Sequence, residues 1–150
     1  MALPPVRQTD RLEMGRNGHQ HRETIGRLLR TSGDAAALFA PGFSNLAHEE
    51  LRVAHLDEEG RILGVSAGTD GNVASIQLPL REIVRDAIAL GARALVLAHN
   101  HPSGDPTPSP ADRAATRRLA EIVGGLDIRL LDHLVFAGEG CRSFRQMGLL

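Results

Sequence analysis

The chain has 150 residues, a formal net charge of −1, 42% hydrophobic residues and one cysteine. That length suits one domain with a single core and excludes two catalytic domains in tandem. The near-neutral charge excludes whole-molecule attraction to nucleic acid, and the lone Cys141 excludes an internal disulfide.

Residues 1–21 are polar, with Pro, Gly, Asn, Gln and His but no apolar periodicity, and predict a mobile leader. His19 and His21 belong to this solvated stretch, because no apolar strand leads into them. Over 22–40, Ile25, Leu28, Leu29, Ala36, Leu38 and Phe39 predict one or two short helices broken at Gly33, and PGFSN at 41–45 marks a boundary. A short helical segment over 22–45 therefore precedes a main domain over 46–150. That domain reads as strand 51–57, a DEEG turn, strand 61–67, strand 73–78, helix 79–90 and strand 93–98. A loop, helix 110–123 and two or three closing strands follow. Pro79 starts the first of these helices and Gly91 closes it, while Gly124 and Gly125 stop the second. Early hairpin strands followed by strand–helix alternation predict an α/β domain, a mixed β-sheet packed with helices. Cys141 is expected as a small buried side chain in a reducing cytosol. No stretch has the makings of a signal peptide or reaches membrane-spanning length, so a cytoplasmic protein is expected.

Residues 99–112, HNHPSGDPTPSPAD, carry the chemistry. His99 and His101 stand two apart at the end of the apolar run ARALVLA, where period-two alternation lets both point the same way. Three prolines and a glycine in 102–108 force an irregular turn. Ser109 then suits a helix N-cap, Pro110 the first helical position and Asp112 the first turn. Two imidazoles and a carboxylate suit a tetrahedral zinc with its fourth position left for water, which marks catalytic sites more often than structural ones. Asp105 replaces Asp112 as the carboxylate ligand only if the loop folds tightly on itself. Ser109 and Asp112 also resemble the S-x-x-E capping box of an ordinary helix start.

The stretch resembles the JAMM signature of JAB/MPN metallopeptidase-like domains, H-x-H, seven residues, Ser, two residues and Asp. More closely it is similar to the RadC family. GTDG at 68–71, LREIVRDAIALGARALVLAHNHPSGDPTPSPAD at 80–112, DIRLLDHLVF at 127–136 and SFRQMGLL at 143–150 look like RadC segments in the same order. The resemblance covers about 46–150 and implies a single MPN/JAB-like domain with a three-layer arrangement like that of cytidine deaminases. It implies Zn²⁺ held by His99, His101 and Asp112, and hydrolysis of an amide or isopeptide bond in a peptide or protein by zinc-activated water. The family's general base precedes the strand ending in Leu-Asp, which here selects Glu49, with Glu50 its rival. Ser109 would stabilise the oxyanion, a task expected to compete with capping the helix. Asp132 and His133 match an Asp-His of RadC-like proteins and could orient a ligand histidine, or could simply end a buried strand.

RadC proteins of usual length also carry an N-terminal helix-hairpin-helix region, whose G-x-G turn is missing from the first 45 residues. Arg113, Arg117 and Arg118 share one stretch of helix and could meet phosphates, though a solvated face beside Glu121 explains them as well. The alternative to an enzyme is thus a non-enzymatic MPN-like module for protein or DNA interaction, tied to DNA repair. Zinc-dependent nucleobase deamination is set aside, because its H-x-E and P-C-x-x-C signature is absent.

Overall fold

A computed structural model describes residues 23–44, 46–69, 78–138 and 140–150. In chain order these form α1 (Ser32–Phe43), β1 (Glu50–Leu56), β2 (Ile62–Thr69), α2 (Leu80–Leu90), β3 (Ala94–Asn100), α3 (Pro110–Gly124), β4 (Arg129–Ala137) and β5 (Gly140–Ser143). The five strands make one mixed sheet in the order β2-β1-β3-β4-β5. Only β3 and β4 run parallel, and α3 is the crossover a parallel pair requires. The other neighbours are antiparallel.

Alternation along the central strands divides the core between two helical layers. Ala54, Leu56, Val96, Ala98, Leu134 and Phe136 pack with Phe39 and Phe43 of α1. Leu51, Val53, Leu95 and Leu97 pack with Ile83 and Ala87 of α2 and with Leu119 and Val123 of α3. All seven residues of β3 are buried, which is why its first five, Ala94 to Ala98, are an unbroken apolar run. The result is the three-layer α/β arrangement, with α1 over one face and α2 and α3 over the other. Strand β4 contains one irregularity: Leu95 pairs with Leu130 but Val96 pairs with Asp132, so Leu131 is an extra residue, a β-bulge.

The N-terminal helix departs from expectation. It is not broken at Gly33, because Thr31 caps it: its hydroxyl accepts from Asp34 N–H, and the Asp34 carboxylate accepts from Thr31 N–H. Gly33 falls in the first turn, where no break is needed. The expected boundary at 41–45 is largely helical, since Pro41 lies in the last turn and Phe43 anchors the end in the core. Arg52 of β1 fastens that end, donating to the Gly42 carbonyl at 2.9 Å while its guanidinium lies over the Phe43 ring. A Cβ at Gly42 would collide with the same guanidinium. Cys141 is also corrected: it is exposed, on the short edge strand β5. Two strands, not three, close the chain among the described residues. The leader with His19 and His21, and nearly all of the strand expected at 73–78, lie outside the described residues.

Candidate metal centre

His99 is the penultimate residue of β3 and stands opposite Leu51, so it projects from the face covered by α2 and α3. His101 follows the strand and still donates its N–H to the Phe136 carbonyl at 2.7 Å, which keeps the chain in register with β4. A turn then closes from Gly104 N–H to the His101 carbonyl, with Gly104 at φ +90°, where a side chain would be strained. The loop returns the chain to Ser109, which caps α3. Its Oγ accepts from Asp112 N–H at 3.0 Å, while Ser109 N–H donates to Asp112 Oδ2 at 2.8 Å. The capping box is therefore real, and it aims the Asp112 carboxylate at the strand end.

His99 Nε2, His101 Nε2 and Asp112 Oδ2 converge. The two nitrogens are 2.9 Å apart, and the oxygen lies 3.2 Å from His101 and 3.5 Å from His99. Zinc bonds of about 2.0–2.2 Å at tetrahedral angles would put donor atoms roughly 3.3–3.6 Å apart, so the trio fits such an ion with small adjustment. The other ring nitrogens are committed elsewhere: His101 Nδ1 donates to the Asp105 carbonyl at 2.8 Å, and His99 Nδ1 lies 2.6 Å from His133 Nε2. Burial raises the Asp112 carboxyl pKa, but the adjacent imidazoles of His101 and His99 outweigh it and hold the group well below the usual carboxylate range. His101 is raised, chiefly by its bond to Asp112 and against the effect of burial. Asp105 is outside the trio: its carboxylate accepts from Thr107 N–H and braces the loop.

Asp132 and His133 part company. His133 faces the site, reaching His99 at 2.6 Å and Thr116 Oγ1 at 2.7 Å, and its ring stacks on Phe144. Asp132 lies on the α1 side and accepts from Ser32 Oγ, Ser143 Oγ and the N–H groups of His133 and Arg145. It ties α1 to the C-terminal segment and does not orient a ligand. Thr116 escapes a reading of the sequence; its one signal is its place one helical turn after Asp112, on the same face of α3.

Glu49 immediately precedes β1 and shares an open cleft of about 260 Å³ with His101, Ser109, Asp112, Ser103 and Thr107. Glu50 is engaged elsewhere, with Arg52 at 3.1 Å and His48 at 3.4 Å. Alternation explains the difference, since Glu50 shares the α1-facing side with Arg52 and Ala54. Ser109 lies on the same cleft, and capping does not occupy its proton: a hydroxyl that accepts through a lone pair remains a donor. The expected conflict between capping and donation is therefore absent. Arg113, Arg117 and Arg118 are exposed on α3.

A mixed sheet between helical layers, with His, His and Asp gathered where β3 gives way to α3, defines a JAB/MPN-like α/β domain. Comparison with known proteins agrees, since the model of the RadC-like JAB domain matches residues 29–149. The chain belongs to this RadC family. It is 41% identical over 111 residues to UPF0758 protein STH371 of Symbiobacterium thermophilum, covering 74% of this chain and 47% of that protein. It is 40% identical over 105 residues to UPF0758 protein YkfG of Escherichia coli, covering 70% and 66%. With UPF0758 protein Bpet3149 of Bordetella petrii it shares 35% identity over 139 residues, 93% of this chain and 62% of the relative. The chain thus spans about half to two thirds of the length of these relatives.

Proposed function

We propose that the domain is a zinc-dependent hydrolase of the JAMM type, acting on an amide or isopeptide bond in a peptide or protein. The observation that carries this reading is the convergence of His99 Nε2, His101 Nε2 and Asp112 Oδ2 beside a cleft that His101 and Asp112 line together with Glu49. These three donors would hold the ion, which when bound lowers the pKa of water towards 7 and polarises a carbonyl. Glu49 takes the proton of the attacking water and delivers it to the leaving amine, as general base and then general acid. Ser109 Oγ–H, its lone pair already engaged by the helix start, donates to the developing oxyanion. The cleft is open at the surface, as a macromolecular substrate requires.

Metal analysis of the full chain joined to a scan of peptide and isopeptide substrates tests this. The wild type should hold about one zinc per chain, Asp112→Asn and His99→Ala should lose it, and Glu49→Gln should keep it without turnover. A wild type with no stoichiometric metal overturns the proposal.

A second reading retains one observation, the exposed Arg113, Arg117 and Arg118 along α3. In it the zinc holds the loop and the helix meets DNA phosphates, in keeping with a DNA-repair role. A salt-dependent shift of labelled DNA without cleavage of any peptide favours it. For the compartment we infer the cytoplasm, from the single cysteine; among the described residues no helix is long and apolar enough to cross a membrane.

A further inference from the structure

Proton positions around His99 can be assigned in one direction only. The Asp112 carbonyl oxygen lies 2.6 Å from Thr116 Oγ1, and a carbonyl can only accept, so the single hydroxyl proton of Thr116 is directed there. Thr116 Oγ1 also lies 2.7 Å from His133 Nδ1. With its proton already placed, the hydroxyl accepts, and His133 carries hydrogen on Nδ1. His133 is 1% exposed and stacked on Phe144, surroundings that disfavour an imidazolium, so its Nε2 holds a lone pair. That lone pair is 2.6 Å from His99 Nδ1, which must therefore be the donor. His99 is left with a bare Nε2, the atom facing His101 and Asp112. The reverse order would leave two oxygens 2.6 Å apart with no proton between them.

We propose that Thr116 and His133 are positioning residues that lock His99 in the Nδ1–H tautomer and hold its Nε2 ready for a metal ion. The chain starts at the backbone carbonyl of Asp112, so the residue that supplies the carboxylate ligand also sets the protonation pattern of an imidazole ligand. The role in metal binding rests on the metal-centre reading above; the tautomer itself does not.

Long-range ¹H–¹⁵N NMR of the metal-free full chain at neutral pH reads the tautomers directly, and both His99 and His133 should show hydrogen on Nδ1. Hydrogen on Nε2 of metal-free His99 overturns the proposal, and this holds even if Thr116→Val fails to fold. Zinc titration against a chromophoric chelator supplies the second test. Thr116→Val keeps the volume and loses the hydroxyl, and should weaken zinc binding by about 10–100-fold, while Thr116→Ser stays within about threefold of the wild type. A folded Thr116→Val that binds zinc as tightly as the wild type overturns the positioning role, because a purely structural threonine would change stability and leave the affinity of the folded protein alone. A wild type that binds no zinc defeats the metal-centre reading, and the NMR result still decides the tautomer.

Discussion

Asn100 grips both peptide groups that flank Glu49. Its Oδ1 accepts from Glu50 N–H at 2.7 Å, and its Nδ2 donates to the His48 carbonyl at 3.0 Å. Asn100 is buried, and although it sits between the two ligand histidines in sequence, alternation turns it to the opposite face of the sheet. From there it holds the backbone that carries Glu49 while touching neither the carboxylate nor the ligands.

Asn100→Ala should therefore separate two properties that ligand substitutions change together. Loss of both bonds strands a backbone N–H and a carbonyl at a partly buried site, a cost of about 1–3 kcal/mol. Chemical denaturation should show that loss, zinc content should stay near one per chain, and any turnover should fall as Glu49 loses its fixed position. A variant as stable as the wild type would remove the clamp from the account.

Glu50→Gln is the control for Glu49→Gln. Glu50 serves Arg52 and His48, partners on the α1 side or in solvent, so its neutralisation should shift stability by no more than about 1 kcal/mol. Both variants should keep zinc, and only Glu49→Gln should abolish hydrolysis. If folded Glu50→Gln were the inactive one, the assignment of the base would have to be reversed.

Ser109 carries a cap and, in the proposed mechanism, an oxyanion contact, and two substitutions distinguish them. Ser109→Ala should cost about 0.5–2 kcal/mol of stability, whereas Ser109→Gly, a tolerable N-cap, should cost a few tenths. Turnover should fall comparably in both, by about 10²–10³-fold, because both lack the hydroxyl. Activity that tracks stability across the pair would make Ser109 a cap alone.

His55 gives stability a pH dependence of definite sign. The side chain is fully buried on β1, with Nε2 3.0 Å from Ser66 Oγ; burial depresses its pKa to about 4, partly opposed by the Asp86 charge. In the unfolded chain the group titrates near 6.5. Between these values the unfolded state binds more protons, so stability falls as pH drops from about 6.5 to 4, by roughly 3 kcal/mol in all, and is fully present above pH 7. Urea denaturation at pH 7, 5.5 and 4.5 should show a shallower decline for His55→Gln than for the wild type. Parallel declines would mean that other groups, the buried His133 first among them, carry the whole effect.

The ligand set was legible because three donors, a turn and a helix cap lie in one short segment whose local rules are unambiguous. The halves of Asp132-His133 could not be separated in the same way, since a bulge at Leu131 breaks the alternation and has no signature in the sequence. Gly33 and Pro41 misled for a related reason: such residues usually punctuate structure, but here the Thr31–Asp34 cap and the burial of Phe39 and Phe43 carry α1 through both. Thr116 looked like any helical threonine, because its role depends on a ring contributed from β4.

The bulge at Leu131 has a consequence beyond geometry. Leu131 and Asp132 both lie on the α1 side, so the bulge sets the residues that follow it in β4 out of phase with strict alternation of the sequence. Were the same residues paired in strict alternation, with Leu131 opposite Val96, the carboxylate would turn towards the metal ligands and the imidazole towards α1, where Ser32 and Ser143 wait for an acceptor. The bulged conformation at Leu131 thus decides whether His99 meets a neutral ring or a second negative charge, and so sets the net charge of the cage that would receive the ion.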